Sequence, residues 1–354
     1  MRAPEPVEIV LVGDIVDDGP TRATLFDWDN PTWEEVRQIE RWVALGGMRS
    51  QIVSPVAAFP ASAALMRGNL ILPLWRGGAS SSRTALVPAI CEALGLAWIG
   101  ADAFGQSVCQ DKSLSKHYMR AAGFVCPNDV VVRSAPLEPD TRCALRALAL
   151  PAVAKPLFSA CSIGIESASL CHCHEALIAR AETLLEEGLG PVICEPFVPG
   201  EEISLCLVEA RGKALLRCVA AYQSVAGRCP FQNRLMTFED KIAGDGWTIA
   251  SYGGALPEDL WTKAERLLRM IGPMHLFRID GRITSGRFTA IEITPDIHLG
   301  LDSAFLGGFV AAGIPPQQVL RAIVDVALAS GSRESQKLTM TEGAAATPLA
   351  TESV

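Results

Sequence analysis

Short apolar runs alternate with amphipathic segments through the first hundred residues. The apolar runs that predict strands are residues 8–16, 51–56, 70–74 and 97–100. Apolar positions at helical spacing predict helices between them, at residues 33–45, 58–67 and 83–95. Alternating strands and helices are typical of a doubly wound α/β unit, so we expect a parallel-sheet domain over residues 1–105.

The pattern changes after residue 105. Further helices are predicted at 107–122, 140–149, 174–187 and 258–271, and strands at 129–132, 152–154, 191–197, 203–209 and 215–221. The last two strands are antiparallel in character, because the short turn Arg211-Gly212 joins them. A long segment without periodicity, 222–252, follows them.

We therefore expect three domains and a tail. The N-terminal domain covers 1–105, a central lobe 106–205 and a C-terminal lobe 206–330. Residues 331–354 are rich in Ser, Thr, Ala and Gly and lack an apolar period, which predicts a disordered tail.

The stretch from Pro151 to Ile165 combines a buried strand, a lysine and a loop of small residues. Pro156 stops the strand directly after Lys155. The segment 159–164 has side chains too small to shield backbone N–H groups from an anion. This arrangement predicts a phosphate-binding loop, although a plain buried strand followed by a Ser/Gly turn explains the stretch equally well.

Composition narrows the class of protein. With 354 residues, of which 49% are apolar, the chain can bury two or three cores. A net charge of −8 without a basic cluster argues against a nucleic-acid partner, and no run approaches the ~18 apolar residues that span a membrane. The N-terminus has no apolar signal core, so we expect a cytoplasmic protein without nucleic-acid or membrane partners.

The 11 cysteines are odd in number and scattered, which indicates buried free thiols in a reducing compartment. The cluster Cys171-His172-Cys173-His174 lacks a second ligand pair at zinc-finger spacing. We interpret it as a loop that leads into the helix at 174–187.

Three further segments complete an ordered series. They are 192–205, 275–280 and 290–294, and they follow the lysine strand and the pair Asp111-Lys112 on the 107–122 helix. Together these motifs resemble the ATP-grasp superfamily, most closely its D-alanine–D-alanine ligase branch, from about Ile9 to about Leu328. The resemblance implies an ATP-grasp fold whose two lobes clasp ATP, with ATP and two Mg²⁺ ions as cofactors and Mn²⁺ as an alternative metal.

The resemblance also implies residue roles. The positions implied to bind ATP are Lys112, Lys155, Ser162 and Lys241 at the phosphates, Glu195 and Phe197 at the adenine, and Glu202 at the ribose. Lys241 falls in the long segment 222–252, where the family has a loop that closes over the active site. Lys116, on the same helix as Lys112, is explained equally well by a solvated helix face.

Two predicted strands joined through Ser285-Gly286 would carry the metal site. Alternate side chains share one face of a strand, and the turn sets Arg278 opposite Glu292. Carboxylates buried together need cations, and Mg²⁺ with its preference for oxygen ligands answers that need. By resemblance the metal ligands are Asp280, Glu292 and Thr294, with help from Asp296 because Thr294 stands where the family usually has Asn.

The implied reaction needs no enzyme nucleophile. A substrate carboxylate or enol oxygen attacks the γ-phosphate of ATP, and an amine then displaces phosphate from the activated carbon. Positioning and charge neutralisation provide the catalysis, so Lys241 and Arg278 are the predicted catalytic residues, with Arg278 at the oxyanion.

The half that would hold the first substrate departs from the family. Asp18 is the one acid that could replace the family's ammonium-binding glutamate, and the segment 75–83 places an arginine where the family has an acid. The predicted substrate contacts are Asp18, Arg83, Cys161 in the altered loop, and Ser303, which matches the serine that receives the second amino acid's carboxylate. Because a guanidinium pairs with a carboxylate and repels an ammonium, we expect an amino acid to be joined to a different, acidic molecule.

Several functions stay open from the sequence alone. The first is a natural-product ligase, such as the enzymes that couple an amino acid to mycosporine-glycine, acting on small molecules as a homodimer. The alternatives within the same chemistry are a D-alanine–D-alanine ligase and an L-amino-acid dipeptide ligase. A non-catalytic nucleotide-binding protein is the alternative of another class, although all of the implied lysines and metal acids are present.

Overall fold

The computed structural model describes residues 7–19, 24–78, 80–295 and 298–342. Its first part is a sheet of four parallel strands. They are β1 (Glu8–Val12), β2 (Arg49–Val53), β3 (Leu70–Pro73) and β4 (Ala97–Trp98), in the order β2-β1-β3-β4. The predicted parallel sheet is confirmed.

Local capping explains where the first helices begin and end. Helix α1 (Trp33–Leu45) starts at Thr32, whose hydroxyl accepts from the Glu35 N–H while the Glu35 carboxylate accepts from the Thr32 N–H. The predicted helix at 58–67 is only α2 (Phe59–Ser62), with a 3₁₀ turn on each side. Pro60 lacks the N–H that would join α2 to the 3₁₀ turn before it. Helix α3 (Leu86–Leu94) ends at Gly95 in the left-handed conformation.

The predicted helix at 107–122 is two helices, α4 (Ala103–Gln110) and α5 (Lys112–Ala121). Asp111 separates them in an extended conformation. Its carboxylate accepts from the N–H groups of Ser113 and Leu114, both at 2.9 Å. A capping aspartate thus starts a new helix where apolar spacing alone predicted a continuous one.

The central lobe contains a small antiparallel sheet. Its elements are β5 (Val130–Val132), α6 (Pro139–Arg146), β6 (Ala152–Pro156), β7 (Leu170–Cys171), α7 (His174–Glu186) and β8 (Val192–Pro196), with strand order β5-β8-β6-β7. Helices α6 and α7 pack over it through Leu145, Leu177 and Leu184. The lysine strand is β6, one of the two inner strands.

A five-stranded antiparallel sheet follows. Its elements are β9 (Glu201–Ala210), β10 (Lys213–Gln223), α8 (Phe238–Ala243), β11 (Thr248–Ser251), α9 (Leu260–Ile271), β12 (Leu276–Thr284) and β13 (Arg287–Thr294), with strand order β11-β10-β9-β12-β13. Arg211 and Gly212 both have positive φ, as the predicted two-residue hairpin requires. The segment 222–252 was predicted to be irregular, but Thr237 caps α8 in it and β11 pairs with β10.

Two helices end the described chain, α10 (Ala304–Ala311) and α11 (Pro316–Glu342). Helix α11 includes residues 331–342, the first twelve residues of the stretch that was predicted to be a disordered tail. No glycine or proline interrupts the stretch from Ser332 to Glu342, so the helix continues through it. Residues 343–354 lie outside the described residues.

No helix in the described part of the chain is both long enough and apolar enough to cross a membrane.

Two hydrophobic cores flank the C-terminal sheet. One joins it to the parallel sheet and to α11, through Ile9, Leu11, Val208, Phe305 and Val319. The other packs α4, α5 and α9 on its opposite face, through Val108, Met119, Leu267 and Phe277. The three-domain division stays a prediction, but α4 and α5, which it assigned to the central lobe, pack with the C-terminal sheet.

His275 connects the parallel sheet to the C-terminal sheet. It lies between α9 and β12 with a φ of 58°, and its Nδ1 accepts from the N–H of Gly100 at 3.2 Å. Burial lowers the pKa of His275 to about 4. Only the neutral imidazole can accept this hydrogen bond.

The fold should therefore lose stability in mild acid through His275. Its folded pKa of about 4 lies below the ordinary value of 6.5, so the unfolded state binds more protons between these two pH values. The stability present above about pH 6.5 falls as pH falls, by about 2 kcal/mol between pH 7.5 and pH 5. Urea unfolding at both pH values measures this loss.

His275→Asn is the matched variant, because asparagine tolerates positive φ and offers an acceptor that does not titrate. The loss between the two pH values should be about 2 kcal/mol smaller in the variant. Equal losses in both proteins would show that His275 is not the responsible group.

Candidate active site

A cleft of about 1310 Å³, including its mouth, lies between the central sheet and the C-terminal sheet. Strands β6 and β8 line one side, strands β12 and β13 line the other, and the small-residue loop 159–162 and α8 border it. Most of the predicted nucleotide and metal residues lie here, together with Cys161 of the predicted substrate contacts. They are Lys112, Lys155, Cys161, Ser162, Glu195, Phe197, Glu202, Lys241, Arg278, Asp280, Glu292 and Thr294.

A buried cluster of one acid and two bases borders the cleft. The Glu195 carboxylate on β8 lies 2.6 Å from the Lys116 ammonium on α5 and 2.7 Å from the Lys155 ammonium on β6. Burial raises the pKa of Glu195, but the two ammonium groups outweigh it and bring the pKa to about 2. All three side chains are therefore charged.

This cluster gives Glu195 and Lys116 partners that the sequence did not indicate. Glu195 was expected to contact the adenine, and in the structure both of its carboxylate oxygens face lysines. A solvated helix face was one of two explanations for Lys116, but this lysine is fully buried. An ammonium without water needs a carboxylate, and Glu195 provides it.

Lys112 ties α5 to the small-residue loop. Its ammonium donates to the carbonyl of Leu157 at 3.3 Å and to that of Ser159, and it lies 3.9 Å from the Glu292 carboxylate. Burial lowers the pKa of Lys112 to about 8, while Glu292 opposes the shift. The lysine thus lies at the cleft as predicted, bound to the loop.

The loop presents backbone donors. Cys161 and Ser162 both have positive φ, and no N–H from residues 159–162 donates to another group in the described part of the chain. The Ser162 hydroxyl instead donates to the Met236 carbonyl at 3.0 Å, which fixes the loop against the segment before α8. Burial raises the pKa of the Cys161 thiol, which stays neutral. The loop can bind an anion through main-chain N–H groups.

Arg282 holds the predicted ribose and adenine residues. Its Nη2 donates to Glu202 Oε2 at 2.9 Å, and its guanidinium lies 4.8 Å from the centre of the Phe197 ring. The Phe197 N–H donates to the Pro151 carbonyl at 2.8 Å, so this N–H is not available to an adenine. Glu202 keeps its Oε1 for a ligand.

A β-bulge aligns the two predicted metal acids. The register of β12 and β13 shifts after the Gly281–Ala290 pair, which leaves Ile291 as the extra residue and sets Asp280 directly opposite Glu292. Opposed residues of an antiparallel pair point to the same face, and a shift of one residue reverses the face. The prediction that Arg278 lies opposite Glu292 is wrong, because the turn at 285–286 alone would set Arg278 opposite Ile293 and the bulge moves it opposite Thr294.

Asp280 is held by three side chains. Arg278 Nε donates to both of its oxygens at 3.0 and 2.8 Å, Ser204 donates at 2.5 Å and Thr294 at 3.2 Å. Thr294 was predicted to bind the metal, and in the structure its hydroxyl orients Asp280. Asp296 lies outside the described residues.

The donor set fits Mg²⁺ with phosphate ligands. Two opposed carboxylates are hard oxygen donors, and the Glu292 side chain is 31% exposed to the cleft. Mg²⁺ is usually bound by one or two carboxylates together with substrate phosphates. Within the described residues no group of three acids, histidines or cysteines could hold a metal by itself, and this includes the Cys171–His174 stretch.

Lys241 reaches the cleft from α8. Its ammonium lines the cleft, and no carboxylate of the described residues lies within ion-pair distance of it. The segment 25–29 contacts the same helix, since the rings of Trp28 and Phe238 meet edge to face at 5.7 Å. The resemblance implied a loop that carries this lysine, whereas the structure has Lys241 on a short helix beside the cleft.

Three predicted substrate contacts lie outside the cleft. Asp18 accepts from the Glu34 N–H at 2.6 Å and pairs with Arg37, so it caps α1. Ser303 caps α10, accepting from the Leu306 N–H while its hydroxyl donates to the Gly300 carbonyl. A helix N-terminus and a ligand attract the same oxygen atoms, which is why sequence alone confused the two.

Arg83 is the third. Its guanidinium is buried, and it donates to the carbonyls of Arg76 and Phe158 and pairs with Asp29. These partners use its donors within the protein. Arg83 therefore supports the loop rather than facing the cleft.

Three residues position the site in ways that the sequence did not predict. Ser204, Arg282 and Lys116 each hold a cleft carboxylate. Arg282 could have been found, because it alternates with Arg278 and Asp280 on β12 and so shares their face. Ser204 depends on the pairing of β9 with β12, which no local pattern reports.

The chain is similar in part to curated D-alanine–D-alanine ligases. It is 32% identical to that of Chromohalobacter salexigens over 117 residues, which cover 33% of this chain and 35% of the relative. It is 23% identical to that of Xylella fastidiosa over 186 residues, which cover 52% and 59%. The matches thus span about a third to three fifths of these relatives' length, and no family model matches the chain.

Solved structures match over nearly the whole chain. A D-alanine–D-alanine ligase of Bacillus anthracis complexed with ATP has a TM-score of 0.68 at 16% identity, covering 93% of this chain and 99% of that one. The ligase of Coxiella burnetii has a TM-score of 0.66 at 12% identity, covering 95% and 99%. The chain therefore has the fold of these D-alanine–D-alanine ligase structures, and its sequence likeness to such ligases covers part of its length.

Proposed function

We propose that this chain is an ATP-dependent carbon–nitrogen ligase of the D-alanine–D-alanine ligase type, which releases ADP and phosphate. The observation that carries the proposal is the convergence of lysines and carboxylates on one cleft. Lys112, Lys155 and Lys241 meet the opposed acids Asp280 and Glu292 there. The similar proteins described above are ligases of this type, and one of those structures is a complex with ATP.

The residues would bind and orient ATP. The loop N–H groups and the three lysines would receive the phosphates, and Glu202 Oε1 would accept from the ribose. Asp280 and Glu292 would hold Mg²⁺, which neutralises phosphate charge when bound. A second ion, or Mn²⁺ in its place, belongs to the same proposal.

Arg278 would stabilise the oxyanion that forms when the amine attacks the activated carbon. Asp280 holds its Nε, so the guanidinium is oriented before the substrate binds. A preorganised cation acts most strongly in a cleft from which water is excluded. Cleavage and ligation then require positioning and charge, without a nucleophile from the protein.

The substrates are the finer part of the proposal. We infer an α-amino acid as the amine donor and a small acid or enol as the activated partner, as in natural-product ligases. The position of Asp18 supports this. Asp18 caps α1 outside the cleft, so its carboxylate would not be a partner for the first substrate's ammonium. D-Alanine–D-alanine ligation is the second candidate, favoured by the sequence likeness to such ligases.

Two further proposals concern the protein in the cell. A cytoplasmic location is supported by the cysteines, all of which are free thiols. A homodimer follows from the resemblance, and light scattering of the purified protein tests it.

Glu292→Gln should abolish ADP formation while the protein stays folded. The change removes one of two carboxylates that would hold the metal, and it keeps the shape of a side chain that is 31% exposed. Loss of several kcal/mol of charge stabilisation predicts ADP release at least about 100-fold slower. Coupled-enzyme detection of ADP measures the rate, and thermal unfolding checks the fold.

Glu258→Gln is the control, because Glu258 is an exposed acid outside the cleft. It should keep full activity. Full activity in Glu292→Gln as well would overturn the ATP-dependent ligase assignment.

Substrate profiling separates the two candidate reactions. ADP release is measured with ATP, Mg²⁺ and D-alanine alone, and then with D-alanine or L-amino acids plus a panel of small acids. We expect ADP only when a second, acidic partner is present. Asp18 lies outside the cleft and so would not bind the ammonium of a first amino acid. Efficient D-alanyl-D-alanine formation would establish the second candidate instead.

A further inference from the structure

Arg76 is a buried arginine without a partner. It follows β3, and only 8% of its surface is exposed. Its side chain makes no hydrogen bond or ion pair with any residue in the described ranges, and its Nε is completely buried. A buried guanidinium normally pairs with a carboxylate, so this one is prepared for an anion from outside the chain.

Arg83 shows what the chain does with a buried arginine that it uses for structure. Arg83 is 3% exposed, and it bonds two carbonyls and Asp29. The two arginines lie seven residues apart in one segment. Their difference indicates that Arg76 serves another purpose than holding the fold together.

Gln106 is a second unpartnered group in the same place. It projects from α4, it is 5% exposed, and its Oε1 is buried without a hydrogen bond to the described residues. Arg76 and Gln106 both line a small pocket whose other walls are mostly apolar. The amide offers one acceptor and two donors, and the guanidinium offers five donors.

The pocket adjoins the main cleft. Thr84 lines the pocket and Gln110 lines the cleft, and the Thr84 hydroxyl donates to Gln110 Oε1 at 3.1 Å. Pro295, which follows the last residue of β13, lines the pocket as well. The charge of Arg76 also reaches the cleft, because it is among the groups that lower the pKa of Cys161 against the larger effect of burial.

We propose that Arg76 and Gln106 form a subsite for a second, non-reacting carboxylate of the acid substrate. This rests on the proposed function, since the activated group itself has to lie among the lysines of the cleft. Arg76 pairs with the carboxylate through parallel N–H donors, and Gln106 donates to its other side through Nε2 once its amide is turned so that Nε2 rather than Oε1 faces the pocket. The substrate class is therefore a small acid with two anionic groups rather than an amino acid with one.

The test compares four-carbon probes that differ by one carboxylate. Succinate and butyrate are titrated separately into the full-length protein by calorimetry, and malonate and glutarate vary the length of the diacid. We expect at least one diacid to bind and butyrate not to bind. Failure of all three diacids to bind the wild-type protein overturns the proposal.

Arg76→Met is the deciding variant. Arg49→Met is the matched control, because Arg49 is an exposed arginine on β2. Diacid affinity should fall about tenfold or more in Arg76→Met and stay unchanged in the control. Arg76→Lys should retain part of the affinity. Thermal stability should be kept or raised in Arg76→Met, because no partner is lost, and should fall in Arg83→Met.

Unchanged diacid binding in Arg76→Met contradicts the subsite, whether or not the variant also loses stability as Arg83→Met does. The two proposals fail separately. Binding of a diacid needs no catalysis, so an absence of ADP release with every acceptor would remove the ligase function alone. Equal KM values for an acid substrate in wild type and Arg76→Met would remove the subsite alone.

Discussion

The ion pairs of Glu195 hold the two sides of the cleft together. Lys116 comes from α5, which packs on the C-terminal sheet, whereas Lys155 and Glu195 come from adjacent strands of the central sheet. The cluster therefore crosses between lobes that otherwise have separate cores. Removing one member of a buried ion pair costs about 3–5 kcal/mol, so the lobes depend on all three groups.

The same cluster sets the charge of the cleft. One carboxylate faces two ammonium groups, and Lys112 and Lys241 add further cations around the small-residue loop. Asp280 is already engaged by Arg278. The surplus of positive charge, with main-chain N–H groups beside it, suits a polyphosphate and explains why burying so many lysines is tolerated in a site for an anion.

The sequence predicts local features of this protein well. Period and capping signals located the parallel sheet, the start of α1 at Thr32 and the hairpin at Arg211-Gly212. These features depend on neighbouring residues, which a linear pattern contains. The apolar spacing continues past Asp111 and therefore predicts one helix there. In the structure Asp111 caps a second helix.

Features that depend on distant residues were not predictable. The bulge at Ile291 is what brings Asp280 and Glu292 onto one face, and it has no local signature. Lys116 becomes a buried group only because β8 delivers Glu195 to it. Asp18 and Ser303 satisfied helix N-termini instead of substrates, since the unpaired N–H groups of a helix compete for the same oxygens.

In the proposed function, Glu195 organises the lysines that would receive ATP. Lys116 does not line the cleft, and it pairs with Glu195, which would otherwise neutralise Lys155 more fully. Calorimetric ATP affinity is measured for Lys116→Met in the wild-type and in the Glu195→Gln background. The account predicts about tenfold weaker binding, or about 1.4 kcal/mol, in the first background and less than about twofold in the second. An equal loss in both backgrounds would contradict it.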